Sequence, residues 1–261
     1  MKKQLTTLGL VLLGTLSFIS CSNSDSSGTD TAQMQIRLTD APADYQQINL
    51  DVKSVEYQMG GDNWNNFNLS KSGVINLLDL KNGVDLLLGD NMLPTGTISQ
   101  IRLVLGSNNT IRVNGVDYPL STPSAQQSGL KLNVHYTLEA GKVYKMWIDF
   151  DAAKSIVKSG NGSYSLKPVI RTFTDLTNGM IEGNVKPQEA KATVYTLKGT
   201  DTIASAIPNA DGYYKMQGLP TGTYDVNFSA DKTTGYTNKT VNNVAVTFGN
   251  VTKVADVVLT K

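Results

Sequence analysis

The lone cysteine is the first residue of this chain whose type and position could support a specific chemistry. Cys21 follows an apolar stretch, Leu5–Ile19, which comes after two lysines at the N-terminus and ends beside the small residue Ser20. This order is typical of a secretory signal that is cleaved before a cysteine, whose thiol and amine are then acylated. We therefore predict a signal peptide over residues 1–20 and lipidation of Cys21.

Two alternatives for the N-terminus can be weighed from its length and pattern. A membrane-spanning helix needs about 20 mostly apolar residues, whereas this stretch is shorter and is interrupted by Thr, Ser and Gly. A plain secretory signal could instead be cleaved within Ser17-Phe18-Ile19-Ser20, and this possibility stays open. Two or three acyl chains on Cys21 would tether the mature protein to a membrane without embedding it.

A tryptophan among polar side chains is the main candidate for ligand binding. Alternation of apolar and polar residues puts Trp147 on the same expected sheet face as Asn133, His135, Lys145 and Asp149. An exposed indole ring offers an apolar surface on which a sugar can stack, while amides and carboxylates orient it through hydrogen bonds. The alternative is an outer face whose tryptophan is covered by a loop or by the C-terminal domain.

Two weaker candidates are an aromatic pair and a group of aspartates. Trp64 and Phe67 follow a glycine-rich turn and could form a contact at a loop tip, although such residues more often close the end of a sandwich. Asp40, Asp149 and Asp151 could converge on calcium, which prefers clustered oxygen ligands. Turn formation and capping explain the same aspartates, so the sequence leaves the calcium question open.

The chain lacks the sequence patterns of common catalytic sites. His135 is the only imidazole, and there is no G-x-S-x-G sequence to present a nucleophile beside it. H-E-x-x-H, P-loop and G-x-G-x-x-G patterns are also missing from the sequence. Composition alone does not exclude the two carboxylates of a glycosidase. We predict no catalytic residues, no cofactor and no resident metal, and hence a protein that is not an enzyme.

Composition narrows the class of protein further. The formal net charge is +1 and no basic stripe stands out, so we expect no nucleic-acid partner. A single cysteine rules out an intramolecular disulfide, so stability must come from apolar cores. Glycine, threonine and asparagine are abundant, which is typical of a β protein with many turns.

The chain divides into a tether and two folded segments. Residues 21–32 are polar and small, which predicts a flexible tether. We place an N-terminal β-sandwich over 33–176 and a second sandwich over 177–261. Ile48–Tyr57 alternates over ten residues, and Asn114-Gly115 suits a tight hairpin turn, both of which indicate strands. The predicted fold class is all-β, with two β-sandwich domains in tandem.

Leu130–Asp151 predicts a hairpin whose register follows from its alternation. A three-residue loop at Glu139-Ala140-Gly141 would pair Tyr136 with Tyr144 and would place the apolar residues of both strands on one face. The opposite face would then carry Trp147 together with its polar neighbours. The ligand-binding hypothesis above depends on this pairing.

The second segment carries motifs of a known β-sandwich family. The sequence has Gly183-Asn184-Val185, then Asp211-Gly212-Tyr213-Tyr214, then Leu219-Pro220-Thr221-Gly222-Thr223-Tyr224, followed by a closing alternating strand. These elements resemble the carboxypeptidase regulatory-like domain across nearly all of residues 180–261. The resemblance implies a seven-stranded transthyretin-like (prealbumin-like) sandwich. It implies an accessory, non-catalytic module.

The first segment also carries a recognisable set of motifs. They are Leu38-Thr39-Asp40-Ala41-Pro42, Asp149-Phe150-Asp151 followed by Lys154-Ser155-Ile156, and Leu166-Lys167-Pro168-Val169-Ile170-Arg171. Together they resemble the signature of a bacterial lipoprotein family known as a domain of unknown function. The resemblance supplies no catalytic residues.

These observations lead to a function hypothesis and one alternative. We expect a lipid-anchored protein of a Gram-negative cell envelope, at the outer membrane, with its periplasmic or surface orientation left open. Its role would be non-catalytic binding, with a glycan as one candidate ligand. The alternative is a structural or fimbria-like assembly subunit whose partners are envelope proteins, in which sheet edges would matter more than aromatic platforms.

Overall fold

The computed structural model describes residues 30–41, 43–122, 128–175 and 178–261, and it confirms the all-β prediction. The structure contains 62% strand and 6% helix, and its sheets are arranged as sandwiches. Within these ranges, no helix is long and apolar enough to cross a membrane. The predicted signal peptide and Cys21 lie outside the described residues.

The described residues of the first part of the chain form thirteen strands. They are β1 (Thr31–Ala41), β2 (Gln47–Met59), β3 (Trp64–Phe67), β4 (Gly73–Asn76), β5 (Leu86–Pro94), β6 (Gly96–Leu105), β7 (Thr110–Val113), β8 (Val116–Ser121), β9 (Leu130–Leu138), β10 (Val143–Asp151), β11 (Ile156–Lys158), β12 (Tyr164–Leu166) and β13 (Ile170–Thr174). A 3-10 helix, Leu77–Leu80, follows β4, and a one-turn helix α1, Ala152–Ser155, follows β10.

These strands form two sheets that pack face to face. The smaller sheet has the order β13-β10-β1-β5, and β1 runs parallel to β10. The larger sheet has the order β11-β12-β8-β7-β2-β6-β9, with β3 and β4 also pairing with β2. β2 is the central strand of this sheet, because it pairs along its length with β3, β4, β6 and β7.

Alternation along the strands produces the core of this first sandwich. In β1 every second residue from Ala32 to Leu38 is buried, and in β2 the same holds from Ile48 to Val52. Because side chains of a strand point alternately to the two faces, one face of each sheet is apolar and packs against the other sheet. The resulting cluster of buried apolar residues extends from Ala32 to Leu166.

The second part of the chain has its own sheets and its own core. Its strands are β14 (Asn178–Lys186), β15 (Thr193–Lys198), β16 (Asp201–Ala206), β17 (Tyr213–Pro220), β18 (Gly222–Ser229), β19 (Lys239–Val246), β20 (Val251–Lys253) and β21 (Val257–Val258). One sheet has the order β17-β14-β20 with β21 also on β14, and the other has the order β16-β15-β18-β19. Short 3-10 helices lie at Gln188–Ala190 and Lys232–Thr234. A separate apolar cluster extends from Ile181 to Leu259.

The last two strands explain the strand count of the second sandwich. β20 and β21 both run parallel to β14 and are separated by only a few residues. The resemblance implied seven strands, and the structure has eight strand segments in this part of the chain. If β20 and β21 are taken as one interrupted strand, the two counts agree.

The predicted hairpin between Leu130 and Asp151 is wrong. β9 pairs with β6 in the larger sheet, whereas β10 pairs with β1 and β13 in the smaller sheet. The connection at Glu139–Lys142 therefore crosses from one sheet to the other. β9 has the predicted alternation of buried and outward residues, whereas β10 is buried on both faces from Met146 to Phe150. Alternation identifies the apolar face of a strand and not its neighbour. A partner that is distant in sequence, β1, takes the position expected for β9.

The predicted turn at Asn114-Gly115 is confirmed. It connects the antiparallel strands β7 and β8, and φ is 51° at Asn114 and 78° at Gly115. A two-residue turn of this kind needs positive φ at both central positions, which asparagine and glycine tolerate best.

An engineered disulfide distinguishes the observed strand pairing from the predicted hairpin. Thr97 and Thr137 face each other across β6 and β9, and their Oγ1 atoms are 3.1 Å apart. We expect the double variant Thr97→Cys/Thr137→Cys, made with Cys21→Ser, to form an intramolecular disulfide, because the side chains are close enough for disulfide geometry. His135→Cys/Lys145→Cys, which would be cross-strand neighbours in the hairpin, should remain reduced. Thiol titration after mild oxidation measures both, and the reverse result would contradict this topology.

Candidate functional site at the junction of the two sandwiches

One arginine connects the two sandwiches. Arg171 lies on β13 directly opposite Asp149 on β10, and its Nε donates to Asp149 Oδ2 at 2.5 Å. Its Nη1 donates to the carbonyl oxygens of Ile203 (3.3 Å) and Gly218 (3.4 Å), and its Nη2 donates to that of Gln217 (3.1 Å). These carbonyls belong to β16 and β17 of the second sandwich. A single guanidinium group therefore binds a carboxylate of one sandwich and three backbone acceptors of the other.

The Asp149–Arg171 pair is unequally buried. The side chain of Asp149 is 6% exposed, whereas that of Arg171 is 37% exposed. Burial raises the pKa of Asp149, and the neighbouring positive charge of Arg171 acts in the opposite direction. Removal of Arg171 would leave a carboxylate in an environment that penalises its charge.

Asp40 is a second buried carboxyl group at this junction. The sequence predicts a turn at this residue, but β1 continues through it to Ala41 and pairs with β10 as far as Asp151. Asp40 Oδ1 accepts a hydrogen bond from the backbone N–H of Ala152 at 3.2 Å. Burial, together with the charge of Asp149, raises the pKa of Asp40 from 3.8 to about 9. Asp40 is therefore protonated at neutral pH.

A small polar cavity lies beside Asp40. It has a volume of about 20 Å³, and Asp40, Asn82 and Gln217 are among its lining residues. Within the described part of the chain, Asp40 Oδ2, Asn82 Oδ1 and Gln217 Nε2 are buried and have no hydrogen-bond partner. With Asp40 protonated, two donors, Asp40 Oδ2–H and Gln217 Nε2, and one acceptor, Asn82 Oδ1, meet at the junction in a space on the scale of a single water molecule.

Two stacked aromatic rings form the apolar part of the junction. The rings of Trp147 and Phe173 are 5.3 Å apart and nearly parallel, at 8°. Trp147 Nε1 donates to Asp85 Oδ2 at 2.8 Å. Phe173 packs closely against Gly218 of the second sandwich, where a Cβ atom would lie 2.4 Å from Phe173 Cδ1 and where φ is +68°. Only glycine fits this position without strain.

Of the residues predicted to surround Trp147, Lys145 and Asp149 share its face of β10, whereas Asn133 and His135 lie in the other sheet. Trp147 is only 6% exposed, so the expectation of an exposed indole platform is wrong. Asn133 and His135 lie on β9 in the other sheet, where Asn133 Oδ1 accepts a hydrogen bond from Gln100 Nε2 at 2.8 Å. Lys145 lies on β10 with its Nζ 3.9 Å from Asp175 Oδ2. The two strands belong to different sheets, which is why the predicted constellation does not form.

Trp64 and Phe67 both lie on β3 but have different surroundings. Phe67 is a core residue, 3% exposed, and its ring meets that of Tyr57 edge-on at 6.4 Å. Trp64 is half-buried, and the guanidinium of Arg102 lies 4.3 Å from the centre of its ring. The alternative weighed from the sequence, that these residues close the end of the sandwich, describes Phe67.

The three aspartates considered for calcium have separate partners. Asp151 caps α1 by accepting from the Lys154 N–H at 3.1 Å, and it also forms an ion pair with Lys154. Asp149 binds Arg171, and Asp40 is protonated. Across the described ranges, no group of three or more His, Cys, Asp or Glu side chains could hold a metal ion. The geometry therefore gives no support to a calcium site at these residues.

Arg171 is the junction residue whose role the sequence did not reveal. Its motif is visible in the sequence, but no role could be assigned to it. The one available signal is a positive charge within the short strand Ile170–Thr174, opposite an aspartate in a mostly apolar strand. The charge pattern predicts an Arg171–Asp149 ion pair only when β10 and β13 are known to be neighbouring strands.

The fold and this junction define a class of protein: an all-β chain of two packed sandwiches. Within that class, the chain belongs to the family described as a domain of unknown function, DUF4382, whose model matches residues 31–168 and thus more than half of the chain. The predicted membership of a family of unknown function is confirmed for the N-terminal part. No curated protein matches the sequence.

Solved structures with weak similarity come from several bacteria. A cohesin–X-dockerin complex of Acetivibrio cellulolyticus is 20% identical over 31% of this chain and 56% of that chain, with a TM-score of 0.26. A fimbrial protein of Bacteroides ovatus is 9% identical over 88% and 50%, with a TM-score of 0.23. The minor pilin GBS52 of Streptococcus agalactiae is 10% identical over 87% and 97%, with a TM-score of 0.21. This chain spans only about half the length of the first two, and the TM-scores are too low to carry a functional argument.

Loss of Arg171 should destabilise the protein more than loss of an exposed arginine. We expect Arg171→Ala to lower the free energy of unfolding by about 2 kcal/mol, because Asp149 and three carbonyls lose a charged partner. Arg112→Ala is the control: the partner of Arg112, Asp117, is 51% exposed, whereas Asp149 is 6% exposed, so loss of Arg112 should destabilise the protein clearly less. Urea denaturation measures the free energy of unfolding of both variants. Equal losses would contradict the larger contribution expected of Arg171.

Asp40→Asn should change how stability depends on pH. Between the unfolded pKa of 3.8 and the folded pKa of about 9, only the unfolded wild-type chain loses the Asp40 proton. This group therefore lowers wild-type stability as pH rises through that window, and its contribution becomes constant above it. The asparagine variant lacks this contribution, so its stability relative to wild type should increase from about pH 4 to about pH 9. Urea midpoints across this range provide the measurement, and a constant difference would show that Asp40 is ionised in the folded protein.

Proposed function

We propose that this chain is a lipid-anchored, non-catalytic protein of a Gram-negative cell envelope, in which the two sandwiches act as one rigid binding module. Acylated Cys21 would hold it at the outer membrane, and the polar residues that follow would separate the folded part from the lipid. The pattern of the first 21 residues supports the anchor. Membership of a family without assigned activity is compatible with a binding role.

The observation that carries the rigid-module proposal is the set of Arg171 contacts. A flexible pair of domains would be expected to meet through a small and mostly exposed interface. Here the guanidinium group of Arg171 makes three hydrogen bonds to carbonyls of the second sandwich and one to Asp149 of the first. Phe173 packs against Gly218 beside these bonds. Asn82 adds a further bond, from its Nδ2 to the carbonyl of Ile207 at 2.5 Å. These contacts favour one relative orientation of the sandwiches, and a fixed orientation is useful for presenting a surface away from a membrane.

An assembly subunit remains the second candidate because one edge strand is long and polar. Among the described residues, β9 pairs only with β6, so its other edge is available to another strand. Lys131, Asn133, His135 and Thr137 are exposed along it. An open edge can accept a strand of a partner chain, although a lysine on it opposes self-association. A solution mass that increases with concentration would favour this candidate over a monomeric binding module.

Replacement of Cys21 tests the anchor directly. In a Gram-negative host given an alkyne fatty acid, we expect the full-length wild-type chain to become labelled and to sediment with membranes. Cys21→Ala should lose the label and leave the membrane fraction, because no other thiol can be acylated. Ser22→Ala is the control and should behave as wild type. An unlabelled wild-type chain, or a labelled Cys21→Ala chain, would contradict the proposal.

A further inference from the structure

A cleft between the two sandwiches has the dimensions of a small-ligand site. Its volume is about 520 Å³. Its lining comes from the segment just before β2, the end of β4 and the 3-10 helix after it, the loop before β5, and the loop that leads into β17 together with the first residue of that strand. Ligand sites commonly occupy roughly 300–1,000 Å³ and are often found between domains. None of the residues predicted for ligand binding from the sequence lines this cleft.

Local hydrogen bonds fix the walls of this interdomain cleft. On the first sandwich, Asn76 accepts from the backbone N–H of Ile48 at 3.1 Å and donates to Asp79 Oδ1 at 2.9 Å. On the second sandwich, Asn209 Oδ1 accepts from the backbone N–H of Tyr213 at 2.9 Å. The Asn82–Ile207 bond then connects the two walls. A cleft that is held in shape before binding loses little conformational entropy when a ligand enters.

Two tyrosines provide the aromatic surface of the cleft. Tyr45 and Tyr213 line it from opposite sandwiches, and both are half-buried rather than covered. The hydroxyl of Tyr213 donates to Glu182 Oε2 at 3.1 Å, which holds its ring in place. A partly exposed phenol ring presents an apolar face to the C–H groups of a ligand and keeps a polar edge in water.

The polar groups of the cleft favour an uncharged ligand rich in hydroxyl groups. Four amide side chains line it: Gln46, Asn76, Asn82 and Asn209. An amide offers both donors and an acceptor, which matches a hydroxyl group that also donates and accepts. The charged residues of the lining are one acid, Asp79, and one base, Lys81, which leaves no net charge to select an ion.

We propose that this interdomain cleft binds a neutral saccharide, with Tyr213 and Tyr45 contacting the sugar ring and the amides binding its hydroxyl groups. The inference rests on the proposed binding function and assigns it a ligand class and a location. Binding in this cleft would depend on the junction, because neither sandwich alone contains both walls of the cleft.

The test compares glycan binding by variants that keep or remove the Tyr213 ring. Full-length protein in a sugar-free detergent is applied to an array of neutral, sialylated and sulfated glycans, and the best neutral ligand is titrated. Tyr213→Ala should weaken binding about tenfold through loss of the ring contact. Tyr213→Phe keeps the ring but loses the bond to Glu182, and it should retain more affinity than Tyr213→Ala. Tyr195→Ala removes a half-buried tyrosine outside the cleft and serves as the matched control.

Ionic strength provides a second measure of the ligand class. Binding of a neutral saccharide should not change with salt, whereas an ionic ligand would lose affinity as its charge is screened. Binding that is confined to charged glycans, an unaffected Tyr213→Ala variant, or no binding on the array would overturn the inference. None of these results depends on Cys21 labelling, so failure of the saccharide site and failure of the membrane anchor are distinguishable.

Discussion

The contact between Arg171 and Asp149 is the interaction on which the arrangement of the two sandwiches depends. Asp149 is buried in a strand that also supplies core residues, so its charge needs a fixed partner. Arg171 provides that partner from the neighbouring strand and uses its remaining donors for three carbonyls of the second sandwich. A planar guanidinium can satisfy these acceptors at once, whereas a lysine ammonium could not cover the same set. The neutralisation of one buried charge thereby connects the two sandwiches.

The residues around the Arg171–Asp149 pair are also shaped by the contact between the two sandwiches. With the second sandwich held against β13, the Trp147–Phe173 stack is covered and Gly218 is required where the backbone approaches Phe173. Burial of Asp40, and after it the charge of nearby Asp149, raises the pKa of Asp40, which therefore keeps its proton. The interdomain cleft with Tyr45 and Tyr213 is lined by residues of both sandwiches that meet at this junction. Junction and cleft are thus parts of one arrangement.

Local sequence patterns predicted the individual strands better than their neighbours. Asn114-Gly115 formed its turn because the required backbone conformation is a property of those two residues. The alternation in Leu130–Leu138 also correctly separated buried from outward positions, whereas in Val143–Asp151 the residues expected to face outward, Trp147 and Asp149, are buried as well. The pairing of these two strands was wrong because β1, far away in sequence, competes for the same position beside β10. Because of that wrong pairing, the predicted cluster around Trp147 does not form. The sequence also assigned no function to Arg171, which connects the two sandwiches.

The sequence by itself determined the all-β class, the family of the N-terminal part and the expectation of a lipid anchor at Cys21. These features depend on alternation, turn residues and short motifs, which are readable over a few neighbouring positions. Only the tertiary structure decided which strands share a sheet, that Trp147 is buried, and that Arg171 and Gly218 meet at the junction. Such contacts join residues that are distant in the chain, and their energies depend on burial and on partners that no local pattern specifies. The cleft belongs to this second group, because its walls come from different sandwiches.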